Sequence, residues 1–103
     1  EMAIDEIRRM KNDIFPNLKP AAGTVFNTSL MDWLDLRNSL LCAEAICLAA
    51  SERRESRGAH QMEDIPFKSD KFTKNQIISM INGNLVSRWQ DVQKLEFNLE
   101  YKI

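Results

Sequence analysis

The residues best suited to chemistry lie in one stretch, "ERRESRGAHQMEDIP" (residues 52–66). It contains three arginines, four carboxylates and the chain's only histidine, His60. Arginine forks bind carboxylate or phosphate groups, and a histidine beside a carboxylate can shuttle protons. The stretch therefore raises three possibilities: a catalytic site, a nucleic-acid patch, or a joint that docks against something larger.

A catalytic role for His60 would require a neighbouring carboxylate, and Glu63 or Asp64 could supply one. This small-enzyme alternative stays open, although a hydrogen-bonded loop histidine is the favoured interpretation. Ser56 lacks the G-x-S-x-G context of a nucleophile elbow. The chain also lacks the glycine patterns of nucleotide-binding loops.

The three arginines, Arg53, Arg54 and Arg57, are balanced by the carboxylates around them, which predicts structural ion pairing. The whole chain has 14 basic and 15 acidic side chains and a net charge of −1. This balance argues against a nucleic-acid partner. Cys42 and Cys47 are five residues apart in an apolar helical run, so they point away from each other and no disulfide is predicted. No cysteine and histidine have metal-ligand spacing.

The elements that must position this stretch are mainly helical. Periodic apolar residues predict a first helix over residues 3–15, ended by Pro16. A long helix is predicted over about residues 30–55, and Gly58 is expected to end it. Asn27, Thr28 and Ser29 are the candidates for its N-cap, and Ser29 with Asp32 resembles a capping box. Apolar residues cover more than one stripe of the long helix, which indicates a missing partner surface.

The last third changes to the two-residue period of β-structure. Asn82-Gly83 predicts a type I′ hairpin turn, and residues 95–103 alternate as a half-buried strand. The predicted fold class is α+β: a helical hairpin or bundle with one long helix and a small C-terminal antiparallel sheet. Residues 1–103 are expected to form a single domain, with a helical part (1–66) and a β part (67–103).

The run from residue 26 to residue 66 resembles the C-terminal helical domain of the succinate dehydrogenase and fumarate reductase flavoproteins. That family includes L-aspartate oxidase and adenylylsulfate reductase. The resemblance covers residues 26–103 well and the first helix loosely. Met62 and Asn75 depart from the family pattern, which usually has arginine at the first position and often histidine around the second. The matching residues are Asn27, residues 34–38, Ala43, Ala49, Ala50, Arg53, residues 55–60 and residues 64–66.

The resemblance implies that FAD is bound by a Rossmann-type domain earlier in a longer chain, where histidines and arginines also hold the dicarboxylate. None of those motifs occurs here, so no catalytic, cofactor-binding or metal-binding residue is predicted in this chain. We therefore expect a C-terminal fragment, and the absence of an initiator Met at position 1 agrees with that expectation.

The resemblance further implies a mechanical role, in which the domain packs on the FAD-binding domain of the same chain. It also implies a second partner, an iron–sulphur subunit. The predicted junction places Arg57 across the interface with Glu55 and Asp64 as counter-charges, and includes the neighbouring loop residues. The predicted junction residues are Glu55, Arg57, Gly58, His60 and Asp64.

The predicted location is cytoplasmic and peripheral at the inner face of the membrane through partner subunits. Direct membrane insertion is not predicted, because no apolar run approaches the length of about 20 residues that a span needs. Two alternatives stay open besides a small enzyme. One is the C-terminal domain of an L-aspartate oxidase or adenylylsulfate reductase-like flavoenzyme, and the other is a stand-alone protein-interaction module. His60 after Gly-Ala favours the succinate/fumarate branch.

Overall fold

The first helical segment changes its winding along its length. The computed structural model describes residues 2–23 and 26–94. In it, α1 spans Met2–Arg9 and continues as a π-helical turn, Met10–Ile14, and a 3₁₀ turn, Phe15–Asn17. Pro16 is tolerated at the start of the last turn because the first backbone N–H groups of a helical turn have no partner inside it. The predicted helix over residues 3–15 is thus confirmed as helical, with an α-helical part that is shorter than expected.

The connection after this segment is fastened to the long helix that follows. The rings of Phe15 and Trp33 stack with their centroids 4.8 Å apart, and Trp33 Nε1 donates to the carbonyl of Leu18 at 3.1 Å. The side-chain amide of Asn27 donates to the carbonyls of Ala21 and Gly23 at 2.7 and 2.8 Å. These contacts fold the chain back, so that the first segment and the long helix become neighbours.

The long helix, α2, spans Thr28–Glu52 and begins at the N-cap Asn27. The Asn27 side chain accepts a hydrogen bond from Leu30 N at 3.0 Å. The predicted Ser29–Asp32 capping box is wrong, because Ser29 Oγ instead accepts from the backbone N–H of Ala21 at 3.0 Å.

The long helix predicted over about residues 30–55 is confirmed; it ends slightly earlier, since the chain leaves the helix at Arg53 with φ −82° and ψ 90°. Gly58 is not the stop residue, because it lies beyond this point in a separate turn, between Arg57 and His60. The physical reason for the earlier end is tertiary: the Arg53 guanidinium donates to the carbonyls of Phe72 and Lys74 on the approach to the sheet.

In the described part of the chain, the sheet is a two-stranded antiparallel hairpin. β1 spans Lys74–Ile81 and β2 spans Asn84–Asp91, with Ile81 paired to Asn84 and Lys74 paired to Asp91. Asn82 and Gly83 both have positive φ, 52° and 78°, as a type I′ turn requires. The predicted hairpin is confirmed, and so is the α+β class. The strand predicted over residues 95–103 lies outside the described residues.

Packing between these elements buries very little apolar surface. Among the described residues, Ile4 and Leu40 are the only hydrophobic side chains below 9% exposure. The radius of gyration is 20.1 Å, against about 13 Å for a compact domain of this length. Within residues 2–23 and 26–94, no helix is both long and apolar enough to cross a membrane.

A buried carboxylate joins α1 to α2. Glu44 is only 4% exposed. It accepts from Arg8 Nε at 3.4 Å and makes a short ion pair with Lys11. Burial alone would raise the pKa of Glu44, but the hydrogen bonds and charges of Lys11 and Arg8 outweigh it and hold that pKa below its usual value. The two helical segments are therefore held together by charge as much as by apolar contact.

Candidate interdomain junction

The centre of the predicted junction is an ion-pair cluster around one buried carboxylate, which we call the clasp: the side chains of Arg53, Glu55 and Arg57 with the backbone N–H of Ser69. Glu55 is 0% exposed. Its Oε1 accepts from Arg53 Nη1 at 2.6 Å and from Arg57 Nε at 2.8 Å. Its Oε2 accepts from Ser69 N at 2.9 Å. Both carboxylate oxygens are therefore used inside the domain.

The clasp keeps Glu55 ionised. The hydrogen bond from Arg57, the backbone N–H of Ser69 and the hydrogen bond from Arg53 lower the pKa of Glu55 to about 2, although burial acts in the opposite direction. In return, Glu55 raises the pKa of Arg57. A carboxylate that stays ionised and accepts hydrogen bonds from three donors acts as a structural centre for the loop.

Arg53 connects the end of α2 to the hairpin. Its Nη1 donates to Phe72 O at 2.8 Å and its Nη2 donates to Lys74 O at 3.0 Å. Its guanidinium carbon lies 4.9 Å from the centre of the Trp89 ring, within the range of a cation–π contact. One side chain thus fixes the position of α2, the loop that follows it and both strands.

The loop after the clasp folds into two successive tight turns. In the first, Arg57 and His60 exchange backbone hydrogen bonds of 2.7 and 3.0 Å, and Gly58 adopts the left-handed conformation with φ 56°. In the second, buried Ser56 accepts from Met62 N at 2.8 Å and donates to Ile65 O at 2.7 Å. The side chain of Ser56 therefore holds the turn over residues 62–65 against the clasp.

The predicted junction residues divide into an inner and an outer group. Glu55 and Arg57 belong to the clasp, and the His60 ring binds inward, with Nε2 2.9 Å from Arg53 O. Gly58 and Asp64 are exposed. The predicted pairing of Asp64 with Arg57 is wrong: Asp64 lies 3.8 Å from Arg54 in a pair in which both side chains are more than half exposed.

Sequence reasoning missed three parts of this site. Arg53 was one of three candidate arginines and a residue of the family match, but it was not included in the predicted junction. Ser56 was considered only as a nucleophile, and Ser69 contributes a backbone N–H that no side-chain pattern could reveal. Among residues 2–23 and 26–94, no three His, Cys, Asp or Glu side chains are grouped closely enough to hold a metal ion.

Beside the clasp lies an open, largely apolar groove of about 290 Å³. It runs along the C-terminal half of α2, where Ile46 is 68% exposed. The residues that line it are Ile46, Ala49, Ala50, Arg53, His60 and Gln76. A second, wholly apolar groove of about 190 Å³ lies between the first helical segment and α2, beside Phe15 and Leu40.

Comparison with known proteins gives one family for the whole chain. The family model described as fumarate reductase flavoprotein C-term matches residues 1–102. The 8-methylmenaquinol:fumarate reductase flavoprotein subunit of Wolinella succinogenes is 38% identical over 87 residues, which cover 82% of this chain and 14% of that protein. The succinate dehydrogenase flavoprotein subunit of Rickettsia bellii is 34% identical over 101 residues, which cover 96% of this chain and 16% of that protein.

A mitochondrial relative matches a shorter part. One succinate dehydrogenase (ubiquinone) flavoprotein of Xenopus laevis is 44% identical over 50 residues, which cover 48% of this chain and 8% of that protein. The chain therefore spans 16% or less of the length of each of these relatives. No solved structure matches it significantly.

Proposed function

The chain belongs to the family of fumarate reductase flavoprotein C-terminal domains, and from this we propose that it serves as the packing domain of a succinate dehydrogenase- or fumarate reductase-type flavoprotein. In this role it lies against the FAD-binding region of the same polypeptide. It supports FAD-dependent oxidation of succinate or reduction of fumarate, and it contributes no catalytic side chain.

The observation that carries this proposal is the exposed apolar surface. Large hydrophobic side chains are exposed to water at several places: Phe26 before α2 is 97% exposed, Ile46 on α2 is 68% exposed, and Phe67 after the clasp is 66% exposed. Apolar surface of this extent is unfavourable in water and marks sites of protein contact. More than four-fifths of each relative's polypeptide lies outside the matched part, and that remainder is the natural candidate to cover this surface.

In this proposal the clasp acts as an internal brace. Glu55 and Arg57 shape the loop from within, while the exposed residues Gly58 and Asp64 lie where a neighbouring domain can touch them. His60, bonded to Arg53 O, fixes the first turn between these two groups. The five predicted junction residues thus contribute to docking, three by holding the loop in shape and two by lying on its surface.

We propose the cofactor and the partners of the assembly from the names of the relatives. FAD is held by the rest of the flavoprotein, and an iron–sulphur subunit is the second partner. The Wolinella relative is named for a fumarate reductase that uses 8-methylmenaquinol, and the names of the relatives in general support assembly with further subunits. The proposed location is cytoplasmic and peripheral, reached through those subunits.

The test compares the parent flavoprotein with a version truncated before this chain. Bound FAD is measured from the flavin absorbance per polypeptide, stability from the melting temperature, and activity from succinate oxidation and fumarate reduction. We expect truncation to lower FAD occupancy, melting temperature and turnover together, because the FAD-binding region loses the surface that packs on it. Unchanged FAD occupancy and melting temperature would contradict the proposal.

A further inference from the structure

One side of α2 faces away from the first helical segment. Glu44 points toward the first helical segment, where it binds Arg8 of α1 and Lys11 of the π-helical turn. Successive helical residues turn by about 100°, so Ile46, two residues later, lies about 200° around the helix from Glu44. The 68% exposure of Ile46 agrees with that position. The first helical segment therefore does not cover this outer side of α2.

The outer side is uncharged over its C-terminal half. From residue 41 to residue 51 the only charged side chain is Glu44, which is turned inward. Cys42, Ile46, Ala49 and Ala50 lie on the outer side, and we call these four residues the outer face. Cys42 is exposed. Because three of the four side chains are small, a partner backbone can approach α2 closely here.

The groove beside the outer face has a polar end. Arg53, His60 and Gln76 line it together with the outer-face residues Ile46, Ala49 and Ala50. Gln76 is held by Ser87 Oγ at 3.1 Å and Glu52 at 3.3 Å, and Arg53 is held by the clasp. An apolar strip that ends at fixed polar groups has the composition of a protein interface, with an apolar centre and a polar rim.

We propose that the outer face is the docking site for an apolar helical segment of the FAD-binding region of the same flavoprotein chain. This inference rests on the proposed function and adds the surface through which it acts. The clasp fixes the polar end of the groove, so that the partner helix meets a preformed surface.

The size of the outer face favours a partner in the same polypeptide over a second copy of this chain. A stable contact between separate proteins covers about 800 Å² on each partner, far more than one isoleucine, one cysteine and two alanines can offer. A segment of the same chain is always present at high effective concentration, so a small contact suffices. The relatives carry more than four-fifths of their length outside the matched part, which supplies such a segment.

Cys42 makes the proposal directly measurable in the intact parent flavoprotein. The native protein is treated with N-ethylmaleimide, and modification is followed at each cysteine-containing peptide by mass spectrometry. We expect Cys42 to react at least about tenfold more slowly than the cysteine introduced by Ile81→Cys, because a docked segment must open before the reagent enters. Unfolding in urea should make the two rates equal.

A matched pair of charge substitutions gives a second, independent readout. Ile46→Arg should lower the melting temperature of the parent flavoprotein and abolish the protection of Cys42, because the guanidinium cannot be buried in an apolar contact. Ile81→Arg places the same change at a residue that is 55% exposed and outside the outer face. It should leave Cys42 protected and the melting temperature close to wild type.

The outcomes of these experiments distinguish failure of the proposed function from failure of the outer face as the docking site. If truncation leaves FAD occupancy and stability unchanged, the proposed function itself fails. If truncation is harmful but Cys42 reacts as fast as the control cysteine, only the assignment of the outer face is overturned. Protection that disappears on dilution of the intact flavoprotein would instead identify a second copy as the occupant, and would overturn the intrachain assignment.

Discussion

Arg53 Nη1 lies 2.6 Å from Glu55 Oε1, and through this pair the end of α2 is tied to the hairpin. The Arg53 guanidinium also donates to Phe72 O and Lys74 O, while Glu55 receives Ser69 N. The ion pair thus joins three separate segments of a domain whose described residues form almost no apolar core. In such a domain the ion pairs and hydrogen bonds of the clasp supply part of the stabilisation that a packed apolar core normally supplies.

Replacement of the central carboxylate tests this role. Glu55→Gln should lower the melting temperature of the parent flavoprotein more than any other carboxylate substitution in the loop, because it leaves two guanidinium groups beside a neutral amide. The control is Glu63→Gln, which changes an exposed carboxylate of the same loop outside the predicted junction residues and should have almost no effect. Equal effects of the two substitutions in thermal unfolding would contradict the clasp.

The pH dependence of the unfolding free energy should reflect the ionisation of Glu55. Its folded-state pKa, about 2, lies below the value of about 4.3 expected for an unfolded chain. The unfolded state therefore binds more protons between these values, and stability rises with pH there. The contribution of Glu55 is fully present above about pH 5 and is lost as the pH falls toward 2. Denaturant midpoints measured at several pH values across this range should fall less steeply in Glu55→Gln than in wild type, and parallel curves would refute this.

The geometry around Arg53 predicts that lysine cannot replace it. Arg53→Lys keeps the charge but loses the planar fork that reaches Glu55, Phe72 O and Lys74 O together, so we expect a loss of about 2 kcal/mol in unfolding free energy. Arg54→Lys, at a neighbouring exposed residue, should change the unfolding free energy by less than about 0.5 kcal/mol. Urea unfolding of both variants measures the difference, and a similar loss at the two sites would argue against the assigned contacts.

The link between α1 and α2 depends on one buried carboxylate. Glu44→Gln should destabilise the domain by about 1–2 kcal/mol, because Arg8 and Lys11 lose their charged acceptor. Glu6→Gln offers the control, since Glu6 pairs with Arg9 on the exposed side of α1. Hydrogen exchange should show faster exchange of the α1 amides in Glu44→Gln alone. Unchanged protection of α1 would mean that apolar contacts suffice to hold it.

The start of α2 gives a prediction from the N-cap. Asn27→Ala removes the acceptor of Leu30 N and two hydrogen bonds to the preceding connection, so it should cost about 1–2 kcal/mol in unfolding free energy. Thr28→Ala, one residue later, makes a change of similar size at an exposed side chain and should be close to neutral. Chemical unfolding of the two variants is the measurement, and an equal loss would show that Asn27 is not the effective cap.

Local patterns were enough to predict the elements whose signals are local. The hairpin follows from Asn82-Gly83 between two β-rich runs, because only residues that tolerate positive φ fit both turn positions. The missing partner surface, which the apolar residues on more than one stripe of α2 indicate, stays a prediction. These features depend on a few consecutive residues.

The features that were predicted wrongly depend on contacts distant in sequence. Ser29 binds the backbone of the preceding connection instead of closing a capping box. Gly58 does not end α2, because the chain leaves the helix at Arg53, whose guanidinium binds acceptors 19 and 21 residues away, a distance that no helix-stop rule includes. Asp64 has the right charge and lies close in sequence to Arg57, yet the second turn carries it to Arg54. In each case tertiary geometry decided between partners that the sequence presents as equivalent.

The two tryptophans lie at the two joints of the domain, and this gives the molecule its own optical reporters. Trp33 stacks on Phe15, where the first helical segment turns back onto α2, and Trp89 lies under the Arg53 guanidinium, where α2 meets the hairpin. A nearby cation shifts indole emission, whereas loss of a stacked ring changes its exposure to quenchers. Single-tryptophan variants would therefore let the opening of each joint be timed separately by fluorescence, without any attached dye.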